Sequence, residues 1–253
     1  MRACLTMLGA VLLLSACGGK PASTSPAAAA PTGAQQSRET ASTESMAAGS
    51  GTASGAPTSV SSQGTFEGRT GELVNPDNST MVFLYYDLAG IPPPMDNWVE
   101  GDSRVQYAPG PEKAANRKTV KAELESAAAS VHGIGVLHLS MSANLSDYDP
   151  TYGEFTVQAL SPSQEVEFQA LGQKVSLRFA NGRVAQIWKV PAAESQAIRD
   201  KIGRSRNVSM DVTLNILGVL PAPGGGVIST NVVDYELRDN QSGSVLARVQ
   251  VPQ

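Results

Sequence analysis

Val208-Ser209-Met210-Asp211-Val212-Thr213-Leu214-Asn215-Ile216 alternates apolar and polar side chains without a break. Successive side chains of a strand point to opposite faces. The stretch therefore reads as a β-strand that buries Val208, Met210, Val212, Leu214 and Ile216 and leaves Ser209, Asp211, Thr213 and Asn215 wet. One wet face is the pattern of an antiparallel sheet. The same period of two recurs on both sides of it. Leu137, Leu139 and Met141 show it, as do Phe155, Val157 and Ala159, and Val166 and Phe168 answer Val175, Leu177 and Phe179. Asn181-Gly182 predicts a two-residue hairpin turn into a strand from Val184 to Val190, which would make Trp188 a core residue sharing a hairpin with Val175. Tyr235 and Leu237 turn back through Asn240-Gln241-Ser242-Gly243 to Val245, Ala247, Val249 and Val251. The count is about seven strands joined mainly by hairpins.

Helical signals are fewer. Asn75-Pro76-Asp77-Asn78 offers an N-cap for a helix over Thr80–Ala89, stopped by Gly90. Ile91-Pro92-Pro93-Pro94 then excludes helix, because each proline restrains its predecessor toward extended geometry. From Glu112 to Val131, Val120, Leu124, Ala127, Ala128 and Val131 recur at helical spacing, with Gly133 as a stop. A third helix is predicted from Pro191 to Ile202, with Gly203 past its end. Two helices thus precede all the strands and the third interrupts them. The expected fold class is α+β: an antiparallel sheet of about seven strands with about three helices packed on it.

The 253 residues carry a formal net charge of −4. From Lys20 to Gly64 nearly every residue is Ala, Ser, Thr, Pro, Gly or Gln, with no aromatic side chain. Such a stretch has too little apolar surface to offset the entropy of ordering it, and is expected to be a disordered linker. A single β-rich globular domain is expected over 65–253. Removing Arg2 with a leader makes the net charge −5, and Lys20, Arg38, Glu39 and Glu44 cancel, so the acidic surplus falls on that domain. Phosphate binding needs a basic face, so nucleic acid is not an expected partner.

Residues 1–16 combine one positive charge at Arg2, an apolar run from Ala3 and small residues at the end, as a secretory signal does. The run is shorter than the roughly 20 residues a spanning helix needs. Leu14-Ser15-Ala16-Cys17 resembles the lipobox of bacterial lipoproteins. The resemblance implies cleavage before Cys17, diacylglycerol on its thiol and, commonly, acylation of the freed amine. It covers only about the first twenty residues. Each buried methylene of an acyl chain contributes about 0.8 kcal/mol, so two or three chains give a firm hold on a membrane. By the same resemblance, Gly18 and Gly19 lack the Asp that retains enteric-type lipoproteins at the inner membrane, which implies an outer-membrane anchor with the domain in the periplasm or displayed at the surface. A flexible linker of about 45 residues would span roughly 35–40 Å. The only other cysteine, Cys4, leaves with the signal. The mature domain therefore has no thiol for a disulfide, a cysteine-ligated metal or a nucleophile.

Catalytic and cofactor motifs are scarce. There is no P-loop, GxGxxG or GxSxG, so no cofactor is expected. Gly101-Asp102-Ser103 is similar to the short nucleophile block of some lipases and esterases, but sits in a polar, proline-flanked loop instead of after a buried strand. The domain's two histidines, His132 at a helix end and His138 on the wet side of a strand, lack metal-ligand spacing. The densest cluster is Ser146-Asp147-Tyr148-Asp149-Pro150-Thr151-Tyr152-Gly153-Glu154. Asp147, Tyr148, Asp149 and Tyr152 are candidate binding residues there. The plain alternative is a turn in which Asp caps backbone amides and the tyrosines cover the sheet edge. Trp98, beside the prolines, is a further candidate contact, as is the Leu217–Gly226 segment. Two functions follow as expectations. One is a non-enzymatic envelope module that binds a protein or polymer partner. The other is an envelope hydrolase using carboxylates such as Asp147, Asp149 or Glu154.

Overall fold

The computed structural model describes Phe66 and residues 68–252; the expected signal peptide over 1–16, Cys17 and the expected linker to residue 64 lie outside the described residues. The fold is α+β. Seven strands form the main sheet: β1 (Gly71–Val74), β2 (Ile134–Asn144), β4 (Glu165–Ala170), β5 (Gln173–Phe179), β7 (Asn207–Ala222), β8 (Gly225–Asp239) and β9 (Val245–Gln250). Two short strands, β3 (Glu154–Thr156) and β6 (Ile187–Lys189), pair separately.

The alternating stretch that opens the reading is the heart of β7. Val208, Met210, Val212, Leu214 and Ile216 are all buried, and β2 and β8 flank them in antiparallel register. β7 and β8 are longer than expected, running through the Leu217–Gly226 segment to a tight turn at Pro223-Gly224. That tip lies on the helix layer. A Cβ on Gly226 would come within 2.4 Å of the Tyr85 ring, so only glycine fits there.

The sheet is mixed, not purely antiparallel. β1 runs parallel to β2, and β5 runs parallel to β8. β1 precedes the first helix, so helices do not open the domain. Its four residues carry no long alternation, and only pairing with a strand about sixty residues away defines it. The expected Asn181-Gly182 hairpin does not form. These residues instead start a one-turn helix, α5 (Gly182–Ala185), and β6 pairs with β3, not with β5. Trp188 is buried as expected, but for another reason. It lies opposite Phe155 and stacks on it with ring centroids 5.3 Å apart. The alternation predicted through Ala159 also stops early, because Gln158–Leu160 form a 3-10 turn that drops Leu160 into the core.

Among the described residues there are six α-helices, where about three were expected. α1 (Asn78–Ala89), α4 (Gly110–Ser130) and α6 (Ala192–Ile202) match the three expected ones. Asp77 caps α1 by accepting from the Thr80 N–H at 2.7 Å, and Gly90 ends it in the left-handed region at φ 63°. α2 (Met95–Gly101), α3 (Ser103–Gln106) and α5 are one or two turns each, too short to show a period. α1 packs against β4, β5, β7 and β8, burying Met81, Val82, Phe83, Leu84, Tyr85 and Leu88. α4 rests on α1, α2 and α3, and of its 21 residues only Val120 is fully buried. No helix among the described residues is long and apolar enough to cross a membrane.

Candidate functional site

The residues singled out by sequence do not gather into one site. Asp149 Oδ1 accepts from the backbone N–H groups of Thr151 (2.8 Å) and Tyr152 (3.2 Å), closing a turn. Asp147 pairs outward with Arg206 at 2.8 Å, and Glu154 pairs with Lys189 at 2.5 Å. The Tyr148 hydroxyl donates to the Val190 carbonyl at 3.0 Å while its ring leans on Phe155. Tyr152 stands in solvent. Each carboxylate in the segment thus has its own partner, and none faces another across a cleft.

Trp98 is placed differently from the expectation of a contact surface. It is 7 % exposed and meets Phe83 and Tyr86 edge-on, each with centroids 5.4 Å away. Prolines 92–94 bring α2 back onto α1, which turns the indole inward. In Gly101-Asp102-Ser103, the Asp102 carboxylate caps α3 by accepting from the Arg104 N–H at 2.8 Å. His132 lies 3.0 Å from the Asp87 carboxylate at the end of α1.

What the fold does assemble is a polar trough on the wet face of the sheet. It has a volume of about 580 Å³ and crosses β1, β2, β7, β8 and β9. Two cross-strand rows form its floor. Ser140, Asp211, Glu236 and Arg248 stand opposite one another on β2, β7, β8 and β9. His138, Thr213, Asp234 and Gln250 form the next row, with Val74 of β1 opposite His138. The volume lies in the range of small-ligand pockets, roughly 300–1,000 Å³.

Electrostatics tie the floor together. Asp211 and Glu236 are directly opposite, an arrangement that destabilises a strand pair unless compensated. Arg238 supplies the compensation: its guanidinium reaches Asp211 at 3.4 Å and also contacts Glu236. Arg248 meets the other oxygen of Glu236 at 2.5 Å. The Ser140 hydroxyl donates to Asp211 at 2.6 Å, and the Asn75 amide donates to Ser140 at 3.2 Å. Held this way, the side chains present fixed donors and acceptors.

His138 lies 3.4 Å from the Thr213 hydroxyl and 3.3 Å from the Glu72 carboxylate. Hydroxyl, imidazole and carboxylate in that order resemble a nucleophilic relay, but both separations exceed the usual hydrogen-bond range. His138 and Thr213 are also paired in the β2–β7 ladder, where backbone N–H groups serve the sheet and not a developing oxyanion. The arrangement suits holding a ligand better than attacking one. Among the described residues, no group of three or more His, Cys, Asp or Glu side chains is placed to hold a metal ion.

His138 stood out in the sequence as a histidine on the wet side of its strand. The others are the polar half of each alternation: Asp211 and Thr213 on β7, and Asp234, Glu236 and Arg238 on β8. Their charge density was readable. Their convergence was not, because register between distant strands decides it. No family model, no curated protein and no solved structure matches the chain.

Proposed function

We propose that this protein is a lipid-anchored module of the bacterial cell envelope that binds a protein or polymer partner without catalysing a reaction. In this reading, Cys17 carries the lipid, residues to 64 tether the domain to an outer membrane, and the trough on the open sheet face engages the partner. The trough is the observation that carries the binding role. Its polar groups are fixed by mutual ion pairs, which lowers the ordering cost of contact. The hydrolase alternative draws no support from the 147–154 segment, where each carboxylate is taken up by a separate partner.

Two measurements test the reading. Cys17→Ser should move the protein from the membrane fraction to the soluble one; membrane association unchanged by that substitution would remove the anchor. A photo-crosslinking residue at Gln250, in the trough, should capture a discrete partner in living cells. The same residue at Ala122, on the far side of α4, should not. Identical adduct patterns from the two positions would remove the trough as the contact surface.

A further inference from the structure

We infer that the trough receives a basic peptide segment laid across the strands. This rests on the reading of the trough as the partner-binding face. Four carboxylates line it, Glu72, Asp211, Asp234 and Glu236, against two guanidinium groups, Arg238 and Arg248. Both guanidiniums are already spent on Asp211 and Glu236. Asp234 has no ion-pair partner among the described residues, and Glu72 meets the imidazole of His138. The surplus negative charge therefore stands at two separated points, and among the described residues no helix lines the trough.

The spacing favours a peptide. Glu72 on β1 and Asp234 on β8 are three strand spacings apart across the sheet, about 14 Å at roughly 4.8 Å per strand, and Glu72 is offset from the Asp234 row by two residues along the strands. An extended peptide rises about 3.4 Å per residue, so basic side chains four positions apart reach both carboxylates. Between those points the floor offers Ser140 and Thr213, and Gln250 stands beyond Asp234 on β9; their hydroxyl and amide groups match the donors and acceptors of a peptide backbone.

The test uses the full-length chain in detergent and labelled hexalysine, with hexaglutamate and spermidine as comparisons, read by fluorescence anisotropy. Hexalysine should bind, hexaglutamate should not, and added salt should weaken the complex because exposed charges are screened beyond about 8 Å at physiological ionic strength. The double exchange Glu72→Gln with Asp234→Asn should weaken hexalysine binding about tenfold. Arg248→Gln, which removes an opposing charge from a solvent-exposed position, should strengthen it about twofold. That opposite sign separates a charge effect from loss of fold. Equal binding of hexaglutamate, no response to either variant, or spermidine binding as tightly as hexalysine would each overturn the inference. A crosslinked partner at Gln250 with silent hexalysine removes only the charge inference. Charge-dependent hexalysine binding with no trough-specific adduct removes the proposed function instead.

Discussion

The side chain of Asn181 hydrogen-bonds both backbone groups of Val232: Nδ2 donates to the carbonyl at 2.9 Å, and Oδ1 accepts from the N–H at 2.8 Å. One edge of β8 is shared by two strands. β5 pairs with it up to Thr230, and β9 pairs with it from Asp234 onward. Ala180 donates to the Thr230 carbonyl at 2.8 Å, and Val251 donates to that of Val233 at 2.9 Å. Asn181 fills the position between them, its amide standing in for one residue of strand. Without it, the Val232 backbone would lose both of these hydrogen bonds.

Asn181→Ala should therefore cost about 1–3 kcal/mol, the loss of two hydrogen bonds at about 0.5–1.5 kcal/mol each. Urea unfolding gives the value. Asn181→Asp keeps the acceptor but sets a carboxylate oxygen against the Val232 carbonyl, so it should cost at least as much as alanine. A loss smaller than that of a typical surface substitution would show that β8 does not depend on this bridge.

Gly182 owes its identity to close approach rather than to an unusual backbone angle. A Cβ there would stand 2.5 Å from the Leu160 carbonyl oxygen and 3.4 Å from the Phe179 Cβ. Gly182→Ala must push α5 away from the 3-10 turn, with an expected cost of about 1–3 kcal/mol for overpacking. A melting temperature equal to the wild type would contradict this contact.

Asp77 gives the fold an acid-sensitive cap. Hydrogen bonds from the Thr80 backbone and the Ser79 hydroxyl hold its carboxyl below the usual carboxylate range. A carboxyl lowered by folding contributes stability above its unfolded pKa of about 3.9, and that contribution is lost as pH falls through the folded value. Asp77→Ala should cost about 1 kcal/mol at neutral pH. Denaturation curves of variant and wild type should converge as pH drops below about 4; a constant difference down to acid would rule out the ionised cap.

Tyr235 is 1 % exposed, and its hydroxyl has no hydrogen-bond partner among the described residues. Burial pushes its phenol well above the ordinary range. Tyr235→Phe removes an unpaired polar atom while keeping the ring, and should stabilise the domain by about 1 kcal/mol. Destabilisation by that substitution would mean that the hydroxyl is bonded in solution.

Local pattern and local chemistry were sufficient for much of this architecture. The alternation from Val208 to Ile216 identified the inward face of β7, and Asp77 and Gly90 marked the ends of α1 through their own backbone preferences. Asn181-Gly182 shows where that sufficiency ends. The same dipeptide that favours a hairpin begins a short helix here, because the Asn181 amide finds a stronger role on β8, which lies fifty residues away.

The amino-acid order by itself determined which side chains of β7 turn inward, since the period of a strand is a property of the backbone and acts within a few residues. Which strands became neighbours was decided only by the tertiary structure: β1 beside β2, β5 beside β8, and the strands that bring Ser140, Asp211, Glu236 and Arg248 into one row. Those pairings depend on hydrogen bonds and packing between segments far apart in the chain, and no local period encodes their register.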